Sequence, residues 1–350
     1  MRWDIRSAAN VAVPSVLALV VAVSLGGLLI IIMAPSATGA FSAFAQGAFG
    51  SKYAVGASLN RAAVLALVGL GFIYAFRANL TNIGGEGQIA MGGMAAAAVA
   101  LKTGVGSLPF GFAILIPAAA AALAGGAWAM LAGWLKVKRG TNEVISTLLL
   151  SFIASWLVYW AVHSDELLRQ PRTDSTSLPE SVDVPVASML PMISAPTHIG
   201  VLIALLVGLG VYLTLTHTPV GLRLEAAGFN PLAARRAGLN ITRMVLGALF
   251  VSGACGGLAG AFMILGEQYN LKAGFSSGYG IDGLVVGLLA RGSVGGVILF
   301  ALLFGFLRSG GIGMEIAAGV PSAVVLVMQG LIIIVIAGLE LATGNRRQSA

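Results

Sequence analysis

Two acidic residues stand where an apolar chain has little reason to keep them. Glu86 lies in NLTNIGGEGQIAMGG (79–93), fenced by Gly84, Gly85 and Gly87, and Asp282 lies in GYGIDG (278–283), between Gly280 and Gly283. A carboxylate inside a membrane can relay protons, bond a cargo, or stabilise the positive end of a helix. A relay needs a matched His or a second acid, and neither stands nearby in sequence. Capping therefore outranks cargo contact, with Glu86 and Asp282 holding Arg77 and Arg291 at the interface. Asn82, Gln88, Asn142, Glu143, Ser146 and Thr147 supply the amides, hydroxyls and carboxylate that a polar solute would bond, and that interhelical packing uses as well.

Other chemistries find no support. His163, His198 and His217 lack metal-ligand spacing, and the carboxylates are not paired for acid–base work. No GxxxxGK[ST] phosphate loop is present, so ATP chemistry would belong to a partner. The single cysteine, Cys255, sits in an apolar run and reads as a packed thiol.

The elements that must position these residues are apolar helices. The chain is 58% hydrophobic and 9% charged, with 48 glycines in 350 residues. Charge-free intervals at 7–51, 103–135, 144–164, 184–222, 244–266 and 316–339 are long enough to cross a bilayer at ~20 residues per helix. Barrel strands would alternate apolar and polar residues, and these runs are apolar on every face. The run Val11 to Ala34 is too long for a signal peptide and reads as a span.

Arg2, Arg6, the KVKRG cluster (Lys136, Lys138, Arg139), Arg223, Arg235, Arg236, Arg243, Arg346 and Arg347 mark cytoplasmic segments, with both termini inside. These loops account for the net charge of +7 without nucleic acid. The 163–197 segment, with five acidic residues against Arg169 and Arg172, belongs outside. Trp156, Tyr159 and Trp160 form an aromatic belt at the outer end of a span, and Phe41, Phe44 and Tyr53 lie in an outer segment.

These features predict a single all-α transmembrane domain over residues 1–350 with about ten spans. They fall at 11–33, 62–80, 86–104, 109–135, 142–162, 197–217, 243–265, 277–290, 293–311 and 319–340. The third and eighth are short, and both open on the Gly-x-acid-Gly unit. Paired, Gly-interrupted short segments in the two halves of a membrane chain predict a weak internal repeat with discontinuous helices beside a central pathway. Glycine allows the dihedrals and close approach that a broken helix needs. Asn82, Gly84, Glu86, Gly87, Gln88, Asn142, Glu143, Gly280, Asp282 and Gly283 are the candidates for the break and pathway.

The segment 218–243 is too long for a turn. Asn230 can cap a short helix with Pro231 first, Leu232 to Ala237 continuing it and Gly238 ending it. This basic surface helix suits a partner protein, or the anionic lipid of the leaflet.

EAAGFNPLAARRAGLN, carrying Glu225, Ala226, Ala227, Gly228, Asn230, Pro231, Ala233, Ala234, Arg235 and Gly238, resembles the coupling motif of permease subunits of bacterial ABC importers. The subfamily is that of simple-sugar, nucleoside and branched-chain amino-acid permeases. FRANLTNIGGEGQIAMGGMAAA and KRGTNEVISTLLLSFIA look closest to its nucleoside branch, and the likeness runs from about residue 50 to 340.

The resemblance implies half of a translocation pathway for nucleosides in the bacterial inner membrane. The other half would be a second homologous permease, giving a heterodimer. ATP-binding subunits carrying ATP and Mg would dock on Glu225, Ala226, Ala227, Gly228, Asn230, Pro231, Arg235 and Gly238. A lipid-anchored or periplasmic binding protein would deliver cargo. A ribose-like sugar is the alternative cargo. A secondary carrier is the more distant alternative, since it would have no use for the 222–240 helix.

Overall fold

The computed structural model describes residues 36–171, 178–327 and 329–331, together with 24, 27, 28 and 31. Its helices are α1 Ala37–Phe49, α2 Lys52–Phe76, α3 Gly85–Lys102, α4 Phe110–Arg139, α5 Glu143–His163 and α6 Gly200–His217. They continue as α7 Pro219–Phe229, α8 Pro231–Arg236, α9 Ile241–Met263, α10 Tyr279–Leu289 and α11 Val294–Ala318. The only paired strands among the described residues form one small hairpin, β1 Met192–Ser194 with β2 Thr197–His198. The all-α expectation therefore holds.

Six helices among the described residues are long and apolar enough to cross a membrane, so the count of ten is not reached. The expected span 11–33 lies almost wholly outside the described residues, as do 328 and 332–340 of the expected span 319–340, which is helical at 323–327 and 329–331. The Arg346 and Arg347 tail also lies outside them, as does Asp174. The expected span 62–80 begins ten residues earlier, at Lys52, because the chain stays helical straight through Asn60 and Arg61. At 1.5 Å per residue the 11 residues of α10 reach only about 16 Å, so α10 cannot cross alone. One element was not anticipated: α1 forms in the supposed outer segment, where Ser36 Oγ accepts the Gly39 amide as its N-cap. Its alanines and glycines give too weak and short an apolar run to stand out.

The chain divides into two compact units, residues 1–61 with 303–350, and residues 62–302. In the first, α1 lies on the latter part of α11. A Cβ on Gly47 would fall 2.7 Å from Gly313 Cα, the Phe44 ring covers Gly310, and Phe49 stacks on Phe306 with centroids 4.7 Å apart. Tyr53, by contrast, stands exposed.

In the second unit α9 is the central helix, packed on α3 and α4. Its sequence SGACGGLAGAF explains how. A Cβ on Gly257 would sit 2.1 Å from the Ala121 carbonyl oxygen, and one on Gly260 would sit 2.2 Å from that of Ile89. Glycine is required at both, because the opposing atoms are backbone and cannot yield. Small residues let membrane helices touch along their main chains, where dispersion and close packing replace the missing hydrophobic drive. The same close approach is seen at Gly92, where a Cβ would meet Gly257 Cα at 2.3 Å.

The second half of the expected external loop is not a free loop. Backbone bonds run from Ser181 N to Leu271 O (2.8 Å), Val184 N to Tyr269 O (2.7 Å) and Leu190 N to Leu265 O (2.7 Å). The segment is thereby stitched over the end of α9, where a π-turn at Ile264–Gln268 stops the helix and Tyr269 takes a φ of +62°.

Candidate functional site

The two Gly-x-acid-Gly units meet in space. A Cβ on Gly280 would fall 2.0 Å from the backbone nitrogen of Glu86, and one on Gly85 would fall 2.9 Å from the Gly280 carbonyl oxygen. Across this contact the Glu86 carboxylate accepts three hydrogen bonds. Ser276 Oγ donates to Oε1 at 2.6 Å, Gly278 N to Oε1 at 3.0 Å, and Gly280 N to Oε2 at 2.7 Å.

Glu86 thus lies in the first turn of α3 while capping the start of α10. One carboxylate faces the positive ends of two helices, the arrangement the macrodipole favours. Capping was expected, but of its own helix and with Arg77 as partner; the partner of Arg77 is instead Glu225. Asp282 occupies the first turn of α10, and Gly283 sets that helix against α2, where a Cβ would meet Val68 Cβ at 2.5 Å.

The amide and hydroxyl candidates form a buried net behind the break. Asn82 Nδ2 donates to Ser252 Oγ (2.8 Å) and Gln88 Oε1 (3.2 Å), while Asn82 Oδ1 accepts from Gln88 Nε2 (2.9 Å) and Gly84 N (2.9 Å). Thr147 Oγ1 accepts from Ile83 N, and Ser151 Oγ accepts from Gly87 N, each at 3.2 Å. Asn82, Gln88, Thr147, Ser151 and Ser252 are all buried. They satisfy the freed backbone at 82–87, as a broken helix in an apolar setting demands.

Asn142 and Glu143 lie elsewhere. Asn142 Oδ1 caps α5 by accepting from Val144 N at 2.9 Å. Glu143 pairs with Lys136 at 2.5 Å, closing the α4–α5 hairpin, and Ser146 Oγ returns to the Asn142 carbonyl. No group of three or more His, Cys, Asp or Glu residues among the described residues could hold a metal ion.

The 218–243 segment is two helices rather than one. Thr218 caps α7, with Pro219 at its first position. Asn230 Oδ1 accepts from Leu232 N and Ala233 N to cap α8, Pro231 is first, and Gly238 at φ +87° follows its end, as the turn chemistry predicts. The EAAGF residues therefore end α7, and NPLAARR makes α8.

Within this segment the motif residues face different ways. Ala227 and Ala234 are buried. Glu225 pairs with Arg77 at 2.7 Å, and a Cβ on Gly228 would lie 2.9 Å from the Arg77 carbonyl oxygen. Both contacts anchor α7 to the turn after α2, where Asn79 holds a φ of +55°. A cleft of about 480 Å³ beside this anchor is lined by Arg77, Asn79, Glu225, Gly228, Phe229 and Arg291, among others. Outward point Ala226, Asn230, Pro231, Arg235 and Gly238. Two residues missed in the sequence dominate the exposed face, Phe229 at 83% and Leu232 at 74% exposure. Their signal was two large apolar side chains three residues apart in an otherwise basic surface segment.

Residues 54–337 match the family model described as branched-chain amino acid transport system / permease component. The chain is 31% identical to the guanosine ABC transporter permease protein NupP of Bacillus subtilis, over 95% of this chain and 94% of that protein. It is 32% identical to the glucose ABC transporter permease protein TsgB13 of Haloferax volcanii, over 91% and 85% respectively. It is 29% identical to the nucleoside ABC transporter permease protein NupB of Lactococcus lactis, over 83% and 80%. No solved structure matches.

Proposed function

From the premise that this multi-pass membrane chain belongs to the branched-chain amino acid transport system permease family of ABC transporters, we propose that it forms half of an ATP-driven importer for nucleosides. The observation that carries the reading is the anchoring of α7 beside the helix break. Gly228 lies on the turn at Arg77 and Ala78, and only a short extended stretch separates that turn from Gly85 and Glu86. A push on α7 and α8 reaches the start of α10 through this stretch. The family transports rather than catalyses, and this chain offers no phosphate loop, so ATP and Mg reside on ATP-binding subunits.

In this reading Phe229 and Leu232 enter a pocket on the ATP-binding subunit. Arg235 and Ala226 flank them, while Glu225, Ala227 and Gly228 transmit the motion. Closure of the ATP-binding subunits shifts the pathway between inward-open and outward-open populations. A second homologous permease completes the pathway as a heterodimer. A lipid-anchored or periplasmic binding protein delivers cargo to the face that carries the 178–198 cap. The protein lies in the cytoplasmic membrane with both termini inside.

Nucleosides are favoured by the guanosine and nucleoside permeases among its relatives, and a simple sugar is the second reading, favoured by the glucose permease. Uptake of labelled guanosine, adenosine and ribose, in cells lacking this chain and in complemented cells with and without ATP depletion, separates the two. ATP-dependent restoration of nucleoside uptake is the expected result. Restored ribose uptake alone would move the cargo to sugars, and uptake that survives ATP depletion would refute the importer.

A further inference from the structure

A second cleft in the 62–302 unit, of about 550 Å³, lies between α7, the α8–α9 turn and α9, with Tyr74 of α2 in its wall. Arg223 and Arg243, so far only markers of sidedness, both line it. On the α9 side, Asn240, Arg243, Met244, Gly247, Ala248 and Val251 recur at three- and four-residue steps and so form one stripe. On the α7 side, Arg223 stands with Val220 and Leu224. None of the described residues lining the cleft is acidic, and Glu225, two positions from Arg223, is engaged with Arg77.

The polarity of this cleft is graded with depth. Hydrocarbon about 30 Å thick takes about 20 helical residues, and counted back from Glu267 in the π-turn these end at Gly247. Arg243, one turn before Gly247, stands at the level of the lipid headgroups. Val251, one turn after it, stands in the hydrocarbon. The basic end of α4 agrees with this level, since Gly133, one turn before Lys136, packs on Leu246 and Leu249 of α9. Gly247 itself is exposed, and a Cβ added to it would meet nothing within 4 Å, so the apolar end of the cleft is open.

An occupant must therefore carry negative charge at the headgroup level and hydrocarbon below it. A soluble phosphate satisfies the arginines and leaves the apolar wall uncovered. A second homologous permease would bring basic cytoplasmic segments of its own, by the same rule that sides this chain, and like charges repel. An ATP-binding subunit, docking from the cytoplasm, does not extend below the headgroups. Arginine forks match phosphodiester oxygens, the first turn of α9 adds the positive end of its dipole, and basic pockets between spans on the cytoplasmic side suit anionic headgroups.

We propose that this cleft binds an anionic phospholipid of the cytoplasmic leaflet, its phosphodiester held by Arg223 and Arg243 and an acyl chain laid along Gly247 and Val251. The lipid then bridges α7, which carries Glu225 and Gly228, to α9, where Ser252 follows Val251 and accepts from Asn82 at the helix break. Anionic lipid thereby stiffens the link between the coupling segment and the break. The site rests on the orientation proposed above and not on the cargo.

The test titrates the whole chain, delipidated in detergent, with phosphatidylglycerol, with phosphatidylcholine of the same acyl chains, and with inorganic phosphate. Bound lipid is counted by native mass spectrometry and the melting temperature is followed beside it. Of the three, phosphatidylglycerol alone is expected to bind and to raise the melting temperature. Arg223→Gln and Arg243→Gln are each expected to weaken that binding about fivefold, while Arg139→Gln, an exposed cation outside the cleft, leaves it unchanged. Gly247→Leu adds bulk in open space and favours the helix, so it is expected to block the lipid without lowering the lipid-free melting temperature.

An equal loss in Arg139→Gln would reduce the effect to diffuse surface charge and overturn the site. An equal shift from inorganic phosphate would overturn the lipid in favour of a soluble anion. Lipid binding kept by Gly247→Leu, together with loss of the second permease, would give the cleft to that subunit. Orientation is checked separately. Cys255 is buried, so an impermeant maleimide applied to right-side-out vesicles reads only Ala237→Cys, which is expected to label after the vesicles are opened. Labelling before opening would overturn the orientation, and with it the leaflet, whatever the titration shows.

Discussion

Replacing Glu86 by alanine removes the acceptor of three hydrogen bonds at once. The Ser276 hydroxyl can rotate to another acceptor. The amides of Gly278 and Gly280 cannot, because Gly280 is buried against the backbone of Glu86. A buried donor left without a partner costs about 1–3 kcal/mol, so the two amides together cost on the order of 3 kcal/mol, less whatever water recovers. For a unit of this size, about 2–4 °C of melting temperature is lost per kcal/mol, giving a fall of roughly 5–10 °C.

Glutamine keeps one acceptor oxygen but loses the charge that faces two helix N-termini, and roughly half that fall is expected of Glu86→Gln. The assay is thermal unfolding of the purified chain in nanodiscs, with cargo uptake measured beside it. The structural account predicts loss of stability with unchanged ratios among cargoes. A stable Glu86→Ala protein with altered cargo ratios would refute the clamp and place Glu86 in the pathway.

Two further tests bear on other surfaces. Phe229→Asp and Leu232→Asp should abolish co-purification of the ATP-binding subunit with no change in melting temperature, whereas Gly228→Ala, whose new methyl meets backbone at 2.9 Å, should lower the melting temperature as well. Loss of association from Gly228→Ala but not from the aspartate pair would reverse these roles.

His198, in the cap beyond the start of α6, gives a pH dependence. Burial holds its imidazole down at about 4, against an ordinary 6.5. The folded form keeps it neutral while the unfolded chain takes up a proton, so stability is full above about pH 6.5 and falls toward pH 4 by up to about 1.4 kcal/mol per pH unit. Melting curves of His198→Asn, whose amide oxygen can take over the Gly200 amide bond of Nδ1 (3.1 Å), should lose that part of the pH dependence. An unchanged pH profile in that variant would exclude His198 as its source.

Membrane class, helix ends and the existence of a broken pair were legible in the sequence because each depends on local chemistry. Charge-free length sets a span, Asn230 with Pro231 starts α8, and Gly238, at φ +87°, takes the left-handed turn that follows it. Two Gly-x-acid-Gly units could be matched because they are written alike. Which groups they bond could not be read, since hydrogen bonding is decided between residues nearly two hundred positions apart.

Only the tertiary structure turned Glu86 from a cap of its own helix into the clamp on α10, and gave Arg77 to Glu225. The same holds for Arg61. A charged residue beside an apolar run reads as the end of a helix, and only the tertiary structure shows the helix running on from Lys52 through Arg61, with Ser309 of α11 accepting its guanidinium hydrogen bond. Hydropathy determines how much of this chain enters the membrane; partner geometry decides which of its few polar groups go in with it and what they hold.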